Sequence, residues 1–408
     1  MPSRYWPLLG AALWVSFLGA QTLPYDAALT RLHDPDPRVR IDTIRMLVAA
    51  GYPEAAAPVA ALVLDQSNDV QRAAIDAELA VFVLDMAPAR RRVALFIEVR
   101  GERSAARAFE QGPLGLRPLA VPPELPEQLG IATADDDPGV RWEALFALGT
   151  LGTTPVSASV EARLILLLAD PDPQMRLAAA LVAGRLRVAA AGEPLIYLLN
   201  DPEDRVQLAA LEALGDLREA RAAVALAERV EYYQRGPGAE SALRAVARIG
   251  HPVSRPLFES LAGARDANLR RFALEGLGRI GEADAIEVVD RAAATESSAE
   301  ARLASQFARA ALGQPGLDEV IAALGDRSLA RQARDYLIEL GAAHVGGLEA
   351  HLHDGDASVR AGVADVLGLF GNAMTLDRLD AVRADADPSV SEIAARAMER
   401  IQVRLTAG

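Results

Sequence analysis

From Leu164 to Gly184 the chain reads L-I-L-L-L-A-D-P-D-P-Q-M-R-L-A-A-A-L-V-A-G. The apolar run Leu164 to Leu168 closes one helix. Asp170-Pro171 breaks it, because proline lacks an N–H and disfavours helix in the residue before it. Asp172 is placed to cap a second helix, with Pro173 at its first position. Beyond it, apolar and small residues at Met175, Ala179, Ala180 and Val182–Ala183 recur at helical spacing rather than alternating as in a strand.

The same pattern recurs along nearly the whole chain. With Met175 as anchor, equivalent positions are Val39, Val70, Val140, Val206, Leu269, Val359 and Val390, with weaker copies at Gly238, Ala301 and Leu329. From Val140 onward the steps are 35, 31, 32, 31, 32, 28, 30 and 31 residues. A period near 31 predicts a solenoid of about 11–12 two-helix units, an all-α fold without a single central core. Three residues before the anchor stand Asp or Ser (Asp36, Ser67, Asp137, Asp172, Asp266, Ser298, Asp326, Asp356, Asp387), all cap-forming types. Twelve after it stands Gly51, Gly152, Gly250, Gly281, Gly313, Gly341 or Gly371, suited to a left-handed turn into the next unit. On each second helix the anchor and the positions four, five and eight beyond it should face the core, and positions two, three and six should look outward.

These features resemble the HEAT repeat family, in particular the short HEAT-like repeats of phycobilisome lyases. The resemblance spans roughly residues 24–404. It implies an Asp/Arg ladder, written here as Asp34/Arg40, Asp135/Arg141, Asp170/Arg176 and Asp354/Arg360, and interrupted where Gln207 follows Asp201 and Ser391 follows Asp385.

Two stretches depart from the repeat. Residues 1–20 read as a signal peptide: Arg4, an apolar core from Trp6 to Leu18, and small residues before Gln21. Residues 112–126 contain five prolines and cannot form one helix. They read either as a brace for the solenoid or as a projecting segment that contacts a partner; the brace is favoured because Leu114, Leu116, Leu119 and Val121 would otherwise be exposed. The expected organisation is a signal peptide at 1–20, N-terminal repeats at 21–111, an irregular insertion at 112–133 and a second array at 134–408. A degenerate repeat near Ala105 would divide the long step between Val70 and Val140.

The chain of 408 residues has a formal net charge of -14, which argues against nucleic acid as partner. All 42 basic residues are arginine, and cysteine is absent, so disulfides and thiolate sites are excluded. Gly276-Leu-Gly-Arg-Ile-Gly281 matches a dinucleotide-loop pattern but ends a helix where no strand precedes it. His351 and His353 beside Asp354 and Asp356 read as a helix end and caps rather than a metal site. Arg90-Arg91-Arg92 reads as a solvated helix face. No His-Glu dipeptide of the kind that ligates iron in HEAT-repeat hydroxylases is present.

The expectation is therefore an exported, periplasmic or secreted, non-catalytic scaffold. It needs no cofactor and keeps no membrane anchor after signal cleavage. It binds a protein partner on the concave surface lined by second helices. The resemblance to bilin lyases implies an alternative, a cofactor-handling protein. Candidate partner-binding residues are Trp142 and Phe146 in one repeat and Arg271, Phe272 and Glu275 in another. The competing reading of the rings is that they pack between adjacent helices.

Overall fold

The computed structural model describes residues 25–84, 104–152, 154–233 and 237–407. The expected signal peptide, the Arg90–Arg92 run and the Gln234–Gly236 turn lie outside the described residues. The remainder is helical apart from one isolated β-bridge. The first repeats are α1 (Tyr25–Arg31) with α2 (Pro37–Ala50) and α3 (Ala56–Ala60) with α4 (Asn68–Phe82). An extra helix, α5 (Ser104–Gln111), follows. Then come α6 (Glu124–Ala132) with α7 (Pro138–Leu151), α8 (Ala158–Leu167) with α9 (Pro173–Arg185), α10 (Gly192–Leu198) with α11 (Asp204–Leu217), and α12 (Ala223–Tyr233) with α13 (Pro237–Ile249). The last are α14 (Arg255–Leu261) with α15 (Ala267–Ile280), α16 (Ile286–Ala293) with α17 (Ala299–Ala311), α18 (Leu317–Ala322) with α19 (Ala330–Leu340), α20 (Val345–Ala350) with α21 (Ala357–Phe370), and α22 (Ala373–Val382) with α23 (Pro388–Ala407). That makes eleven two-helix units among the described residues.

The helix starts follow from the cap residues. Asp36, Asp137, Asp172, Asp266, Ser298 and Asp356 each accept a backbone N–H of the first turn. Ser67 sits at its cap position without making that bond. Among the turn glycines, Gly51, Gly250, Gly281, Gly313 and Gly341 are left-handed. Gly152 and Gly371 are not. There an added Cβ would meet a carbonyl of the preceding turn, at 2.5 Å from Leu148 and 2.8 Å from Leu367. In the repeats anchored at Met175 and Val206 the left-handed position is held by Arg187 and Arg218, with φ of 50° and 53°. A side chain there costs about 1–2 kcal/mol.

Along most of the stack neighbouring second helices are in far more extensive contact than neighbouring first helices. The second helices therefore lie on the inside of the curve. Small residues permit this. A methyl added at Gly184 would lie 2.6 Å from Cα of Ala213, and one at Gly278 would lie 2.7 Å from Cα of Ala308. Gly215 and Gly368 meet Ala245 and Ala397 in the same way, at 3.1 and 3.0 Å. Each contact joins the ninth residue after one anchor to the seventh after the next. The dinucleotide-like motif is accounted for here: Gly276 makes room for the Phe258 ring, Gly278 for Ala308, and Gly281 turns the chain.

The Asp/Arg ladder differs from the expected pairing. Arg176 Nη1 donates to the backbone carbonyl of Asp170 at 2.8 Å, not to its carboxylate. Its ion pair is with Asp201 of the following repeat, at 2.7 and 2.9 Å. Arg40 with Asp65, Arg270 with Glu296 and Arg360 with Asp385 repeat this geometry. Each acceptor also receives a backbone N–H two residues on, fixing its own turn. One arginine thus ties its own turn to the next. Asp201 and Asp385 are not gaps but acceptors; at the first, Gln207 makes the bond to its own turn, at 2.7 Å from the Asp201 carbonyl.

The long step between Val70 and Val140 does not hold an extra stacked unit. Helices α3 and α4 pack directly on α6 and α7. The ladder crosses the gap: Gln71 donates to Asp135 at 2.8 Å and Arg72 to Asp137 at 2.5 Å. Helix α5 lies on the second-helix side, against α4 and α7. The irregular segment ends earlier than expected, since α6 begins at Glu124 and is a first helix of the stack.

Residues 113–117 form a strap, a 3-10 turn (Pro113–Gly115) that runs into the bridge residue Leu116. One edge pairs with the end of α4, Leu84 N–H to the Gly115 carbonyl (2.8 Å) and Arg117 N–H to the Phe82 carbonyl (2.7 Å), about the Val83–Leu116 bridge. The other edge offers the carbonyls of Leu114 and Leu116, which accept from Arg400 Nη2 at 2.6 and 3.1 Å. Arg400 is buried and also donates to Asp365 at 2.7 Å. The proline-rich segment is therefore a brace, and it joins the second repeat to the last helix.

Two outcomes follow from these contacts. Arg176→Ala should cost about 1–3 kcal/mol in a denaturant titration, because Asp201 is left buried without its partner. Asp137, Asp201, Glu296 and Asp385 are all held below the usual carboxylate range by the arginines that hydrogen-bond them, Asp137 and Asp385 at about 2. Lowered folded-state values give stability that is present above the ordinary pKa and lost as pH falls. The melting temperature should drop between about pH 4 and about pH 2, and the Arg176→Ala chain should show a weaker acid dependence than wild type. For the strap, Arg400→Ala strands Asp365 and frees two carbonyls. It should lower stability by about 3 kcal/mol or more and enlarge the radius of gyration by X-ray scattering. An unchanged radius would contradict the brace.

Candidate functional site

The second-helix face carries two rows of side chains that point away from the interhelical contacts. Over α9, α11 and α13 one row is formed by the second and sixth residues after the anchors: Leu177, Leu181, Leu208, Glu212 and Arg244 are exposed or half-buried, whereas the sixth residues Phe146, Glu275, Phe307 and Asp365 of other repeats are buried. The other is formed by the tenth residue: Arg185, Asp216, Arg248, Arg279, Glu339 and Arg400. The third position, expected to look outward, is buried between adjacent second helices at Ala178, Ala209, Phe272 and Ala304. Helix geometry explains this, since the third and seventh positions share the flank that meets the next helix.

That correction decides the candidate residues. Phe272 is 2% exposed and Phe146 is 4% exposed, so both rings are packing elements. Trp142 is half-buried, its ring 4.8 Å from Phe146. Phe146 in turn meets Phe109 of α5 edge-on at 5.3 Å. The aromatic residues near Val140 therefore seat α5, and Arg185 clasps it from α9, with its guanidinium 4.1 Å over the Phe109 ring and Nη2 donating to the Phe109 carbonyl at 3.0 Å. Arg271 is half-buried over the Phe272 ring at 4.4 Å.

Glu275 is buried in a charged network that spans three second helices. Arg279 donates to Glu275 at 3.1 Å and chelates Glu339 through Nε and Nη2, each at 2.8 Å. Tyr336 O–H donates to Glu275 at 2.6 Å, Gln332 donates to Tyr336 at 2.7 Å, and the Tyr336 ring stacks on Phe307 at 4.4 Å. Arg218 reaches Glu339 at 2.5 Å from four repeats away. Burial would raise the Glu339 carboxyl, but Arg279 outweighs it and holds the group below its ordinary value. Burial drives the Tyr336 hydroxyl well upward, with the Glu275 charge adding to it. The phenol is thus fixed as a donor, and two carboxylates are balanced by Arg279 inside and Arg218 at the rim. The cluster reads as a clamp across the inner face.

Between α5 and this clamp the inner face is open. A groove of about 360 Å³ runs over α9, α11 and α13. Leu177, Leu181 and Leu208 form its apolar side, and Arg205, Arg244 and Arg248 its basic side. Arg248 is ion-paired with Asp216. Arg205 and Arg244 are exposed and make no ion pair among the described residues. Sequence reasoning expected the second, third and sixth positions to look outward and chose aromatics among them; Leu177, Leu181, Leu208 and Arg244, at the second and sixth positions, are the ones that line the groove.

Elsewhere, His351 contacts Asp318 at 3.3 Å and Asp354 at 3.5 Å. No cluster of potential metal ligands occurs among the described residues, and no helix there is long and apolar enough to cross a membrane.

Arg279→Ala should leave Glu275 and Glu339 facing each other across a buried space. The expected loss is about 3–5 kcal/mol, read by chemical denaturation, and Glu339→Gln in the same chain should recover part of it. Equal stability of Arg279→Ala and wild type would remove the clamp assignment.

A family model described as HEAT repeats matches residues 160–234 and 238–313. No curated protein sequence matches. Similar solved structures include a chain of the CpcE–CpcF complex of phycocyanin lyase from Nostoc sp., at 20% identity over 74% of this chain and 91% of that one, TM-score 0.31. Importin beta is 11% identical over 93% of this chain and 57% of that one, TM-score 0.45. YibA from Escherichia coli is 14% identical over 71% and 93%, TM-score 0.38. Residues 160–234 and 238–313 are therefore HEAT repeats, and the same two-helix repeat geometry continues on both sides of them.

Proposed function

We propose that this chain is an exported, non-catalytic scaffold that holds a protein partner against its second-helix face. The observation that carries the reading is the open groove over α9, α11 and α13. Apolar side chains and unpaired arginines lie together there, on a chain whose net charge is -14. Leucines left at the surface beside charge are what a partner covers. The rest of the inner face supports this use. It is held rigid by the ladder, the clamp and the strap, so binding costs little ordering of the scaffold. Export is motivated by Arg4 and the apolar stretch that follows it.

A photo-crosslinking residue at position 208 tests the site, with one at Tyr197 on a first helix as control. In an envelope fraction, position 208 should capture a defined protein and Tyr197 should not, and the mature chain should begin at or near Gln21. Capture at neither position, or Met1 retained on soluble cytoplasmic protein, would sink the corresponding half of the proposal. A tetrapyrrole-like visible absorbance in the purified native protein would favour cofactor handling instead.

A further inference from the structure

The geometry points to a particular partner element: we infer that the groove over α9, α11 and α13 takes an amphipathic helix bearing a leucine row beside an acidic row. The inference rests on the scaffold reading and specifies its ligand. Three observations carry it. The first is composition. Arg205 and Arg244 have no carboxylate partner among the described residues, although acidic residues outnumber basic ones 56 to 42 in the chain. Unpaired cations held at an apolar cleft in an acidic protein are complementary to carboxylates. Glu212 is the one carboxylate among the residues that line the groove, and no ion pair joins it to Arg205 or Arg244 among the described residues.

The second is arrangement. The leucines come from α9 and α11 and the arginines from α11 and α13, so the apolar and basic sides run next to each other. A strand sends successive side chains to opposite faces and cannot present apolar and acidic rows side by side to one surface. A helix can, because residues three and four apart form adjacent rows. Leu177 and Leu181, four apart on α9, offer a matching helical ridge.

The third is size. Successive second helices spaced roughly 8–10 Å apart place α9 and α13 about two steps from each other. That span admits one more helix of about 10–12 Å diameter. The groove is flanked on the α9 side by α5 and Arg185 and on the α13 side by the Arg279 clamp, so its width suits a single helix.

The probe is a fluorescent helix-forming peptide of roughly 18 residues, about 27 Å long, with leucines at i, i+4 spacing and a flanking glutamate row. It is compared with a lysine-for-glutamate version and a scrambled one, using the full chain and fluorescence anisotropy. The glutamate peptide should bind, more weakly as salt rises, and the other two should not. Arg205→Glu with Arg244→Glu should weaken it about tenfold or more and let the lysine peptide bind. Leu208→Asp should also weaken it. These residues are exposed, and Arg244 touches the core only through its 5.5 Å approach to the Phe272 ring, so melting should be nearly unchanged in both variants. Binding that ignores charge reversal, or no binding of the glutamate peptide, overturns the inference. If position 208 still crosslinks a partner in that case, the scaffold reading survives and only the helix chemistry fails. A dimer of the chain broken by Arg205→Glu would assign the groove to a second copy and likewise overturn it.

Discussion

The contact of glycine on alanine between successive second helices sets the shape of this molecule. With no side chain at Gly184, Gly215, Gly278 and Gly368, the backbone of one helix rests against Ala213, Ala245, Ala308 and Ala397 of the next. First helices have no equivalent, so the two sides of the stack differ in spacing and the array bends toward the second helices. The Arg–Asp ladder acts at the other level, fixing each turn to the following one. Together they convert a local sequence period into a curved object.

Curvature then creates contacts that the period alone does not contain. Arg218 meets Glu339 across four repeats, and Arg400 meets the strap at Leu114 and Leu116 across most of the chain. In a straight stack, four steps of 8–10 Å would hold the first pair roughly 32–40 Å apart. Arg218 occupies a left-handed position that glycine fills in five sister repeats. An arginine is strained there, and its ion pair with Glu339 offsets that strain. The inner face is consequently divided: α5 and the strap cover one part, the charged clamp crosses another, and the groove of leucines and arginines lies open between them.

Much of the fold was legible in the sequence. The Asp-Pro-Asp turn predicted where Pro173 starts its helix, and the spacing of Met175 from its sisters predicted the stack. Positions four and eight after the anchor are buried as expected. The ladder was legible as a pattern but not as a pairing, because Asp170 and Arg176 are near in sequence while Asp201 is near in space. The row ten residues after the anchor was missed for the same reason. Arg279, Glu339 and Arg218 make sense only once distant repeats meet. The candidate rings were misplaced for two reasons: Phe272, at the third position, is buried toward the neighbouring helix, and Phe146, at the sixth, is covered by Phe109 of α5. Helix α5 was invisible as a separate layer, since its composition matches that of a repeat helix and only packing shows that α4 meets α7 directly.

The central claim is that small residues on the inner face bend the array until its distant repeats meet. The cysteine-free chain allows a direct test. Spin labels on cysteines introduced at positions 218 and 339 remove the ion pair and leave the curvature to report itself by electron–electron double resonance. The account predicts one narrow distance well below the roughly 32–40 Å of a straight stack, lengthened when Gly278 is replaced by valine. A broad or long distance in the chain that keeps all its inner glycines would contradict it.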